Sequence, residues 1–382
     1  MLRLHRPIAA ILTAFILACP AFADIKAYNA AVKAGDYKTA AAEAETIWKT
    51  WNMADEQTAI IAREFGYASL VAGRYELAKQ FGQFLAEKGA TLSKPDDQPL
   101  TSAVLLRIAD FGLVSGAEPQ RGALREALLA RNAAPGTDMT SVLSWQALYA
   151  AAWNKGDWTA VTADVGAAAE FMKRQPALIA RQREAEVLAA AASFIQNRAK
   201  RTSSRNEAYD VMADVHDAIS GDINTATNAG IRTQLWRSKW QAEAWAAAIE
   251  SYLDASYAQI GSNISTSLKP RPLVQPASSQ FPPVASPLPR CEGDFEGRKL
   301  TYPESKAYSG LVGSVIVNIQ VSEDGKVTKA DILAAIPSDE FGNRVVDTVR
   351  TWTYKPARGM KPGQTCRLNT NAHVYKVNFT IG

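Results

Sequence analysis

The sequence predicts an α + (α+β) protein: an N-terminal array of α-helical hairpins, then a small domain with a three-stranded antiparallel sheet and two helices. Residues 24–260 are rich in alanine, and their apolar residues recur at intervals of three and four, the period of amphipathic helices. Residues 261–290 contain seven prolines, which interrupt helices and central strands. Beyond residue 313, apolar and polar residues alternate, as in half-buried strands. The chain's 382 residues are enough for two or three domains.

The first 23 residues have the three parts of a secretory signal peptide. Arg3 and Arg6 form a basic start, residues 7–23 are uncharged, and the small residues around Phe22 offer a cleavage site before Asp24. The uncharged run has 17 residues, fewer than the roughly 20 that a membrane-spanning helix needs. We therefore expect residues 1–23 to be removed on export.

Two other fates of this segment stay open. Residues 16–19 resemble a lipoprotein signal, in which Cys19 is acylated and becomes the new N-terminus. The segment can also stay uncleaved as a membrane anchor. We expect membrane contact only in these two cases, because no later run of the sequence is apolar enough to span a bilayer.

A glycine followed two positions later by an aromatic residue recurs along the helical region. The pattern occurs at Gly35, Gly73 and Gly156, and with Gly116 included the successive steps are 38, 43 and 40 residues. A period near 40 built from paired helices is typical of stacked helical hairpins.

These segments resemble the tetratricopeptide repeat, in which one glycine lets two helices approach and a second glycine ends the first helix. The resemblance is carried by Phe65, Gly66, Gly73, Tyr75, Ala78 and Phe81, and in the first copy by Gly35, Tyr37, Ala40 and Ala44. The third copy keeps Gly156 and Trp158 but has Val161 where alanine is usual. The resemblance implies that residues 24–260 offer an extended surface to other proteins.

Residues 261–290 form the predicted linker. Serine accounts for much of this segment besides proline, and each proline fixes the backbone and removes an amide donor. At about 3.1 Å per residue, such a chain can span on the order of 90 Å. We therefore expect the helical region and the C-terminal domain, residues 291–382, to be separate domains on a semi-extended tether.

The C-terminal domain is expected to begin with a β-hairpin. Residues 315–321 alternate apolar and polar side chains, with Ile316 as the exception on the polar side. Asp324 and Gly325 are typical of a tight hairpin turn, and the second strand is expected over residues 327–333.

A helix and a last strand are expected to follow. Ser338 is placed to cap the helix. The helix has an apolar stripe on Phe341, Val345, Val349 and Trp352. Residues 374–381 alternate again and predict the last strand.

The order and spacing of these elements resemble the C-terminal domain of the TonB family of periplasmic energy transducers. The resemblance is carried by Tyr302, Pro303, Ala307, Gly310, Gly313, Gly325, Trp352, Tyr354 and Pro356. It implies a short first helix after Pro303 and tight turns at Gly310 and Gly313. It also implies that Trp352 and Tyr354 fill the seam between helix and sheet.

The resemblance further implies how the domain binds. TonB-like domains capture an extended peptide of an outer-membrane receptor on an exposed strand edge, where backbone hydrogen bonds supply affinity. The candidate edge is the last strand, with partner-binding residues Val374, Tyr375, Lys376, Val377, Asn378, Phe379 and Thr380. The alternative, that this edge is covered within the protein or paired in a dimer, stays open.

The cysteines predict one disulfide bond. If Cys19 leaves with the signal peptide, Cys291 and Cys366 remain as an even pair in an oxidising compartment. Two separate buried thiols are the alternative.

The sequence holds no pattern typical of an enzyme. It lacks His-Glu-x-x-His, Gly-x-Ser-x-Gly and the phosphate-binding Gly-x-x-x-x-Gly-Lys, and His216 and His373 are isolated. The formal charge of +4, from 42 basic and 38 acidic residues, is too small for a nucleic-acid-binding surface. We therefore predict no catalytic, cofactor or metal site and no small-molecule substrate.

Together these inferences predict a non-catalytic adaptor of the Gram-negative periplasm. The helical array would hold one envelope protein, and the TonB-like domain would bind another, such as an outer-membrane receptor peptide. The alternative is a membrane-anchored, TonB-type energy transducer for outer-membrane receptor transport. Such a transducer keeps an N-terminal membrane helix, whereas the first segment here has the pattern of a cleavable signal.

Overall fold

A computed structural model of the chain describes residues 25–52, 57–88, 99–197, 204–260, 270–282, 290–303, 312–356 and 366–379. The predicted signal peptide, with Cys19, lies outside these residues. The chain divides into two compact units, one ending at Leu178 and the other beginning at Ile179.

The first unit is helical throughout its described residues, and each helix packs against the next one along the chain. Its elements are α1 (Ile25–Ala34), α2 (Tyr37–Thr50), α3 (Thr58–Val71), α4 (Tyr75–Lys88), α5 (Pro99–Leu113), α6 (Glu118–Ala133), α7 (Met139–Lys155), α8 (Trp158–Met172) and a 3₁₀ turn (Pro176–Leu178).

The recurring glycines end helices in this unit. Gly35, Gly73 and Gly156 have φ angles of 72°, 72° and 73°, in the left-handed region that residues with a Cβ rarely adopt. After Gly156, the side chain of Asp157 accepts a 3.0 Å hydrogen bond from the backbone N–H of Ala160 and so caps α8. At this turn the sequence pattern therefore ends one helix and starts the next within two residues.

The second unit combines three helices with the predicted α+β region. Its elements are α9 (Ile179–Asn197), α10 (Ser204–Thr225), α11 (Ala229–Ile260), β1 (Gly293–Glu296), β2 (Gly313–Val321), β3 (Val327–Ile336), α12 (Asp339–Val349), β4 (Thr353–Pro356) and β5 (His373–Phe379). Helices α9, α10 and α11 pack against one another in all three pairs.

The strands form two antiparallel sheets. A three-stranded sheet has the order β3-β2-β5, and β1 pairs with β4 in a two-stranded ribbon. This architecture confirms the predicted fold class, a helical array followed by a small α+β domain with a three-stranded antiparallel sheet. Strand β3 reaches Ile336 rather than residue 333, and β1 and β4 are additions to the predicted order. The first helix predicted after Pro303 falls outside the described residues.

Helix α12 covers one face of the three-stranded sheet. The side chains that meet there have no solvent exposure, namely Val315, Val317 and Ile319 of β2 and Phe341, Val345 and Val349 of α12. Ser338 occupies the N-cap position, but its side chain makes no capping hydrogen bond. The predicted start of the helix is therefore right, and the predicted capping by Ser338 is wrong.

Helix α11 covers the opposite face of the same sheet and contacts β2, β3 and β5. Ile316, the exception in the predicted alternation, points to this face and is 1% exposed. Ser314 and Asn318 are buried beside it. Because α11 also packs against α9 and α10, residues 240–249 of this helix are buried around most of its circumference.

Residues 270–282 of the predicted linker contain no helix or strand, as their prolines imply, but they are held against α10 and α11. The Arg271 guanidinium binds the carboxylates of Asp214 and Asp217. The indole Nε1 of Trp240 donates a 2.6 Å hydrogen bond to Gln280. This part of the segment is therefore docked rather than free. The linker boundaries at 261 and 290 stay a prediction, because the residues flanking the docked part are not described.

Candidate functional site at the edge of strand β5

Strand β5 lies at one end of the three-stranded sheet. It pairs antiparallel with β2, with Val377 opposite Val315 and Asn378 opposite Ser314, and β2 is its one strand neighbour among the described residues. Successive residues of a strand direct their backbone N–H and C=O groups to opposite sides. The outer side of β5 therefore presents a row of backbone donors and acceptors that β2 does not use.

The side chains of β5 differ between the two faces of the sheet. Those on the α12 face are buried or half-buried, namely Tyr375, Val377 and Phe379. The alternate residues are exposed, namely Val374, Lys376 and Asn378. Thr380, the last predicted binding residue, lies outside the described residues. The candidate edge thus combines an apolar, anchored side with a mostly polar, accessible one.

An aromatic cluster joins β1, β4 and the start of β5. The ring of Phe295 lies at its centre, with ring-centre distances of 5.2 Å to Tyr354, 5.4 Å to His373, 5.8 Å to Trp352 and 5.9 Å to Tyr375. Phe295 could not be predicted from the sequence, because a four-residue strand gives too short an alternation to detect.

The polar atoms of Trp352 and Tyr354 bind the backbone that precedes the sheet. The indole Nε1 of Trp352 donates a 2.8 Å hydrogen bond to the carbonyl of Arg298, and the Tyr354 hydroxyl donates one of 3.0 Å to the carbonyl of Cys291. Both side chains are buried. They therefore fasten the first residues of the domain as well as filling its core.

Two of the predicted glycines lie where a side chain would collide with the core. A Cβ on Gly313, the first residue of β2, would lie 2.5 Å from the ring of Phe341. Gly325, with a φ of 81° in the hairpin turn, would place a Cβ 2.4 Å from the carbonyl oxygen of Tyr354. Pro356 is the last residue of β4.

Tyr302 packs its ring against Phe341 and Phe379, at centre distances of 5.6 and 5.8 Å. The adjacent Pro303 is buried. Gly310 lies outside the described residues.

A disulfide joins Cys291 to Cys366, with an S–S distance of 1.98 Å and a Cα–Cα distance of 4.9 Å. The backbone N–H of Cys291 donates a 3.0 Å hydrogen bond to the carbonyl of Arg367. The bond links the segment before β1 to the segment before β5, 75 residues later. It therefore restrains the chain that leads into the candidate edge.

A pocket of about 360 Å³ opens beside the start of β5. Three groups of residues line it. Strand β5 and its approach contribute Ala372 and Val374, and α11 contributes Trp236, Lys239 and Trp240. The docked segment contributes residues 275, 276 and 278–281, and Arg290 completes the lining. The rings of Trp236 and Trp240 stack with centres 5.7 Å apart. This pocket was not predicted from the sequence, because the helical region and the C-terminal domain that both line it were expected to be separate. The pair of tryptophans four residues apart is the signal that was present.

Lys239 is a nearly buried cation in the pocket wall, with a side chain only 2% exposed. Its Nζ lies 2.6 Å from Glu243 Oε2 and 3.8 Å from the ring centre of Trp240. Burial lowers the pKa of Lys239, Glu243 opposes that shift, and the charge of Lys376 on β5 lowers the pKa further. The Glu243 carboxylate therefore favours the charged form of this lysine, against the effect of burial.

The two described histidines have structural surroundings. His216 is fully buried, with Nδ1 3.2 Å from Asp217 Oδ1, and burial lowers its pKa. His373 Nε2 lies 2.6 Å from the carbonyl of Asn369, and burial lowers its pKa as well. The described part of the chain contains no group of three or more His, Cys, Asp or Glu side chains arranged to hold a metal ion. None of its helices is long and apolar enough to cross a membrane.

A comparison with protein families matches residues 298–377 to the C-terminal region of the TonB protein of Gram-negative bacteria. These residues form a TonB C-terminal-like domain. The match confirms the resemblance predicted from the sequence, and it includes β2, β3, α12, β4 and most of β5. The TonB-like domain thus contributes Val374 to the pocket, whereas Trp236 and Trp240 come from outside the matched region.

Among curated proteins, the chain is similar to Protein TonB of Escherichia coli strain K12, with 33% identity over 79 residues. The similarity covers 21% of this chain and 30% of that protein, so the chain matches less than a third of its relative's length. No solved structure matches the chain with significance.

Proposed function

We propose that this chain is a non-catalytic binding protein of the Gram-negative cell envelope, which captures an extended segment of a partner protein by strand addition to β5. The observation that carries the proposal is the position of β5 at the edge of the sheet in the TonB-like domain. The binding residues are those of the predicted edge, from Val374 to Thr380.

The chemistry of this edge suits strand addition. The added strand takes its affinity from backbone hydrogen bonds, so it needs a row of accessible donors and acceptors rather than a deep cleft. The core under β5 holds that row in place through Val377 and Phe379, which are only 6% and 5% exposed. The exposed Lys376 and Asn378 reduce uncontrolled pairing between edges of separate molecules.

The rest of the chain is proposed to deliver and support this edge. Residues 1–23 would direct export to the periplasm, where the bond between Cys291 and Cys366 is stable. Residues 24–260 would act as a tetratricopeptide-like array that binds a second envelope protein. Residues 261–290 would connect that array to the domain of residues 291–382.

A membrane-anchored energy transducer is the second candidate, favoured by the similarity to Protein TonB. In that case the N-terminal segment would remain on the exported protein. N-terminal sequencing of the protein recovered from cells separates the two functions. A terminus at Asp24 excludes the anchored form, and an intact Met1 excludes cleavage of the predicted signal peptide.

Site-specific photo-crosslinking in intact cells tests strand addition directly. A benzophenone amino acid would replace Val374 on the candidate edge, and in a control it would replace Ile332 on β3, the opposite edge of the sheet. The two side chains are matched, with 44% and 41% exposure. We expect a discrete crosslinked partner from position 374 and none from position 332. Equal crosslinking at both positions would contradict the assignment of the binding edge to β5.

A further inference from the structure

We propose that the pocket beside Val374 binds a small molecule that carries one anionic group and several hydroxyl groups, such as a sugar acid or a sugar phosphate. Arg290 pairs with the anionic group, and polar side chains of the docked segment bind the hydroxyl groups. This inference is independent of strand addition, because such a ligand needs no row of backbone donors on β5.

The accessible part of the pocket is mostly polar. The rings of Trp236 and Trp240 are buried in its wall, with exposures of only 7% and 9%. Four of the five exposed residues among those described in the lining are polar, namely Gln275, Ser278, Ser279 and Arg290. Ligand pockets enclose roughly 300 to 1,000 Å³. A volume of about 360 Å³ therefore suits a ligand as small as one sugar unit.

The charges around the pocket favour an anion. Its lining contains two charged residues, Lys239 and Arg290, and both are basic. Glu243 lies 2.6 Å from the Nζ of Lys239 and balances that charge, whereas Arg290 is exposed and forms no salt bridge with any residue that the structure describes. Lys376 of β5 adds positive charge, which lowers the pKa of Lys239. Cations of one sign around a concave surface concentrate anions there.

The backbone at Arg290 is held at a defined point of the wall. Arg290 forms a parallel bridge with Arg367, and the next residue, Cys291, is bonded to Cys366. The guanidinium therefore extends from a restrained part of the chain. Its donors form a planar fork that matches two oxygens of a carboxylate or a phosphate.

The docked segment supplies groups that suit hydroxyls. The Oε1 of Gln280 accepts the 2.6 Å hydrogen bond from Trp240, so its amide N–H groups remain as donors for a ligand. Gln275 and Ser278 also line the pocket, and their side chains form no hydrogen bond with any described residue. Each of the two can both donate and accept, as a hydroxyl group does. The bond to Trp240 also orders Gln280 before the ligand arrives, which reduces the entropy cost of binding.

The test is a nuclear magnetic resonance titration of the full chain with isotope-labelled tryptophan. The indole N–H of Trp240 reports on the pocket because its acceptor, Gln280, is part of the lining, and its signal is assigned from Trp240→Phe. The probes are glucuronate and glucose 6-phosphate. The controls, at equal ionic strength, are glucose, which lacks the charge, and acetate and inorganic phosphate, which lack the sugar hydroxyls.

We expect at least one probe to shift the Trp240 signal saturably and to bind at least tenfold more tightly than every control. The probe that binds identifies the anionic group as a carboxylate or a phosphate. If neither probe gives a saturable shift, or if any control binds as tightly as the better probe, the inference is overturned.

Charge reversal tests the cation assigned to the anionic group. Arg290→Glu is expected to weaken the better probe at least tenfold. Arg237→Glu is the control, because Arg237 is an exposed arginine of α11 and lies outside the lining. Equal affinities in these two variants would overturn the assignment of Arg290.

A second variant tests the opposite wall. Gln280→Glu keeps an acceptor for Trp240, so the docked segment should stay in place while the added charge repels the anion. We expect at least a tenfold loss of affinity at an unchanged unfolding temperature. Unchanged affinity in Gln280→Glu would show that the ligand does not occupy this pocket.

Discussion

The guanidinium of Arg271 binds the carboxylate of Asp217, and the same carboxylate accepts a 2.8 Å hydrogen bond from the backbone N–H of Val274. Asp217 of α10 therefore binds the proline-rich segment of residues 270–282 at two points. A third comes from Tyr209, whose hydroxyl donates a 3.0 Å hydrogen bond to the Arg271 carbonyl. The segment that the sequence marks as a tether is thereby part of the packing that positions the pocket.

We expect Arg271→Ala to release this segment. A hydrogen bond to a charged group contributes about 1.5 to 3 kcal/mol, and the partial exposure of Arg271 places the loss at the lower end of that range. Hydrogen exchange of residues 270–282 should accelerate while exchange in β2 stays unchanged. Arg237→Ala, which alters an exposed arginine of α11, is the control and should leave exchange in the segment unaltered. Equal protection in both variants would show that Arg271 does not hold the segment.

The buried His216 makes the stability of this region dependent on pH. Burial holds its pKa below the ordinary value, against the hydrogen bond with Asp217 and the charge of Glu243, while the charge of Lys239 lowers it further. The unfolded state therefore takes up a proton at a higher pH than the folded state does, and stability falls as the pH drops below about 6.5.

This pH dependence should disappear in part when the imidazole is removed. The free energy of unfolding, measured by urea denaturation at a series of pH values, should fall below pH 6.5 in the wild-type chain and fall less steeply in His216→Gln. The two chains are compared by the slope of the unfolding free energy against pH, because the substitution also changes the stability at neutral pH. Identical slopes would mean that His216 titrates alike in both states.

Strands with a long alternation and a recognisable turn could be predicted from the sequence, because their signals are local. The hairpin of β2 and β3 has Asp324 and Gly325 at its turn, and α12 has its apolar stripe. The ribbon of β1 and β4 could not be predicted in the same way. It is held by distant contacts, such as the hydrogen bond from Tyr354 to the Cys291 carbonyl.

The packing of α11 on the sheet is also a tertiary effect, yet the sequence contained its signal. An isoleucine on the polar side of a strand is an anomaly for an exposed face. Ile316 is 1% exposed because that face is covered by α11. The pocket could not be predicted, because it requires Trp240 and Val374 to meet from segments 134 residues apart in the sequence.

Loss of the disulfide should destabilise the domain that carries the edge. Its loop spans 75 residues, and a disulfide typically contributes about 2 to 4 kcal/mol by restricting the unfolded chain. We expect a reducing agent to lower the thermal unfolding temperature of the wild-type chain. The Cys291→Ser/Cys366→Ser variant, which lacks both sulfurs, is the control and should not respond to the reducing agent. A wild-type chain that unfolds at the same temperature in both conditions would contradict a stabilising role.

The edge of β5 can be tested residue by residue with proline. Tyr375 and Lys376 are adjacent, so their backbone N–H groups point to opposite sides of the strand. Of Tyr375→Pro and Lys376→Pro, one removes a donor to β2, and the other removes a donor on the outer side. We expect the first to lower the unfolding temperature strongly, since it breaks the sheet, and the second to preserve the fold because it leaves that ladder intact.

The variant that keeps its fold is the informative one. The introduced proline lacks the outward-facing backbone N–H and has its ring in that position. If partners bind by strand addition, this variant should lose the crosslink formed from position 374. The control is alanine at the same position, which also removes the side chain but keeps the backbone donor, and it should give a stronger crosslink than proline does. A folded β5 variant that still gives the full crosslink would show that the partner does not use the backbone of this edge.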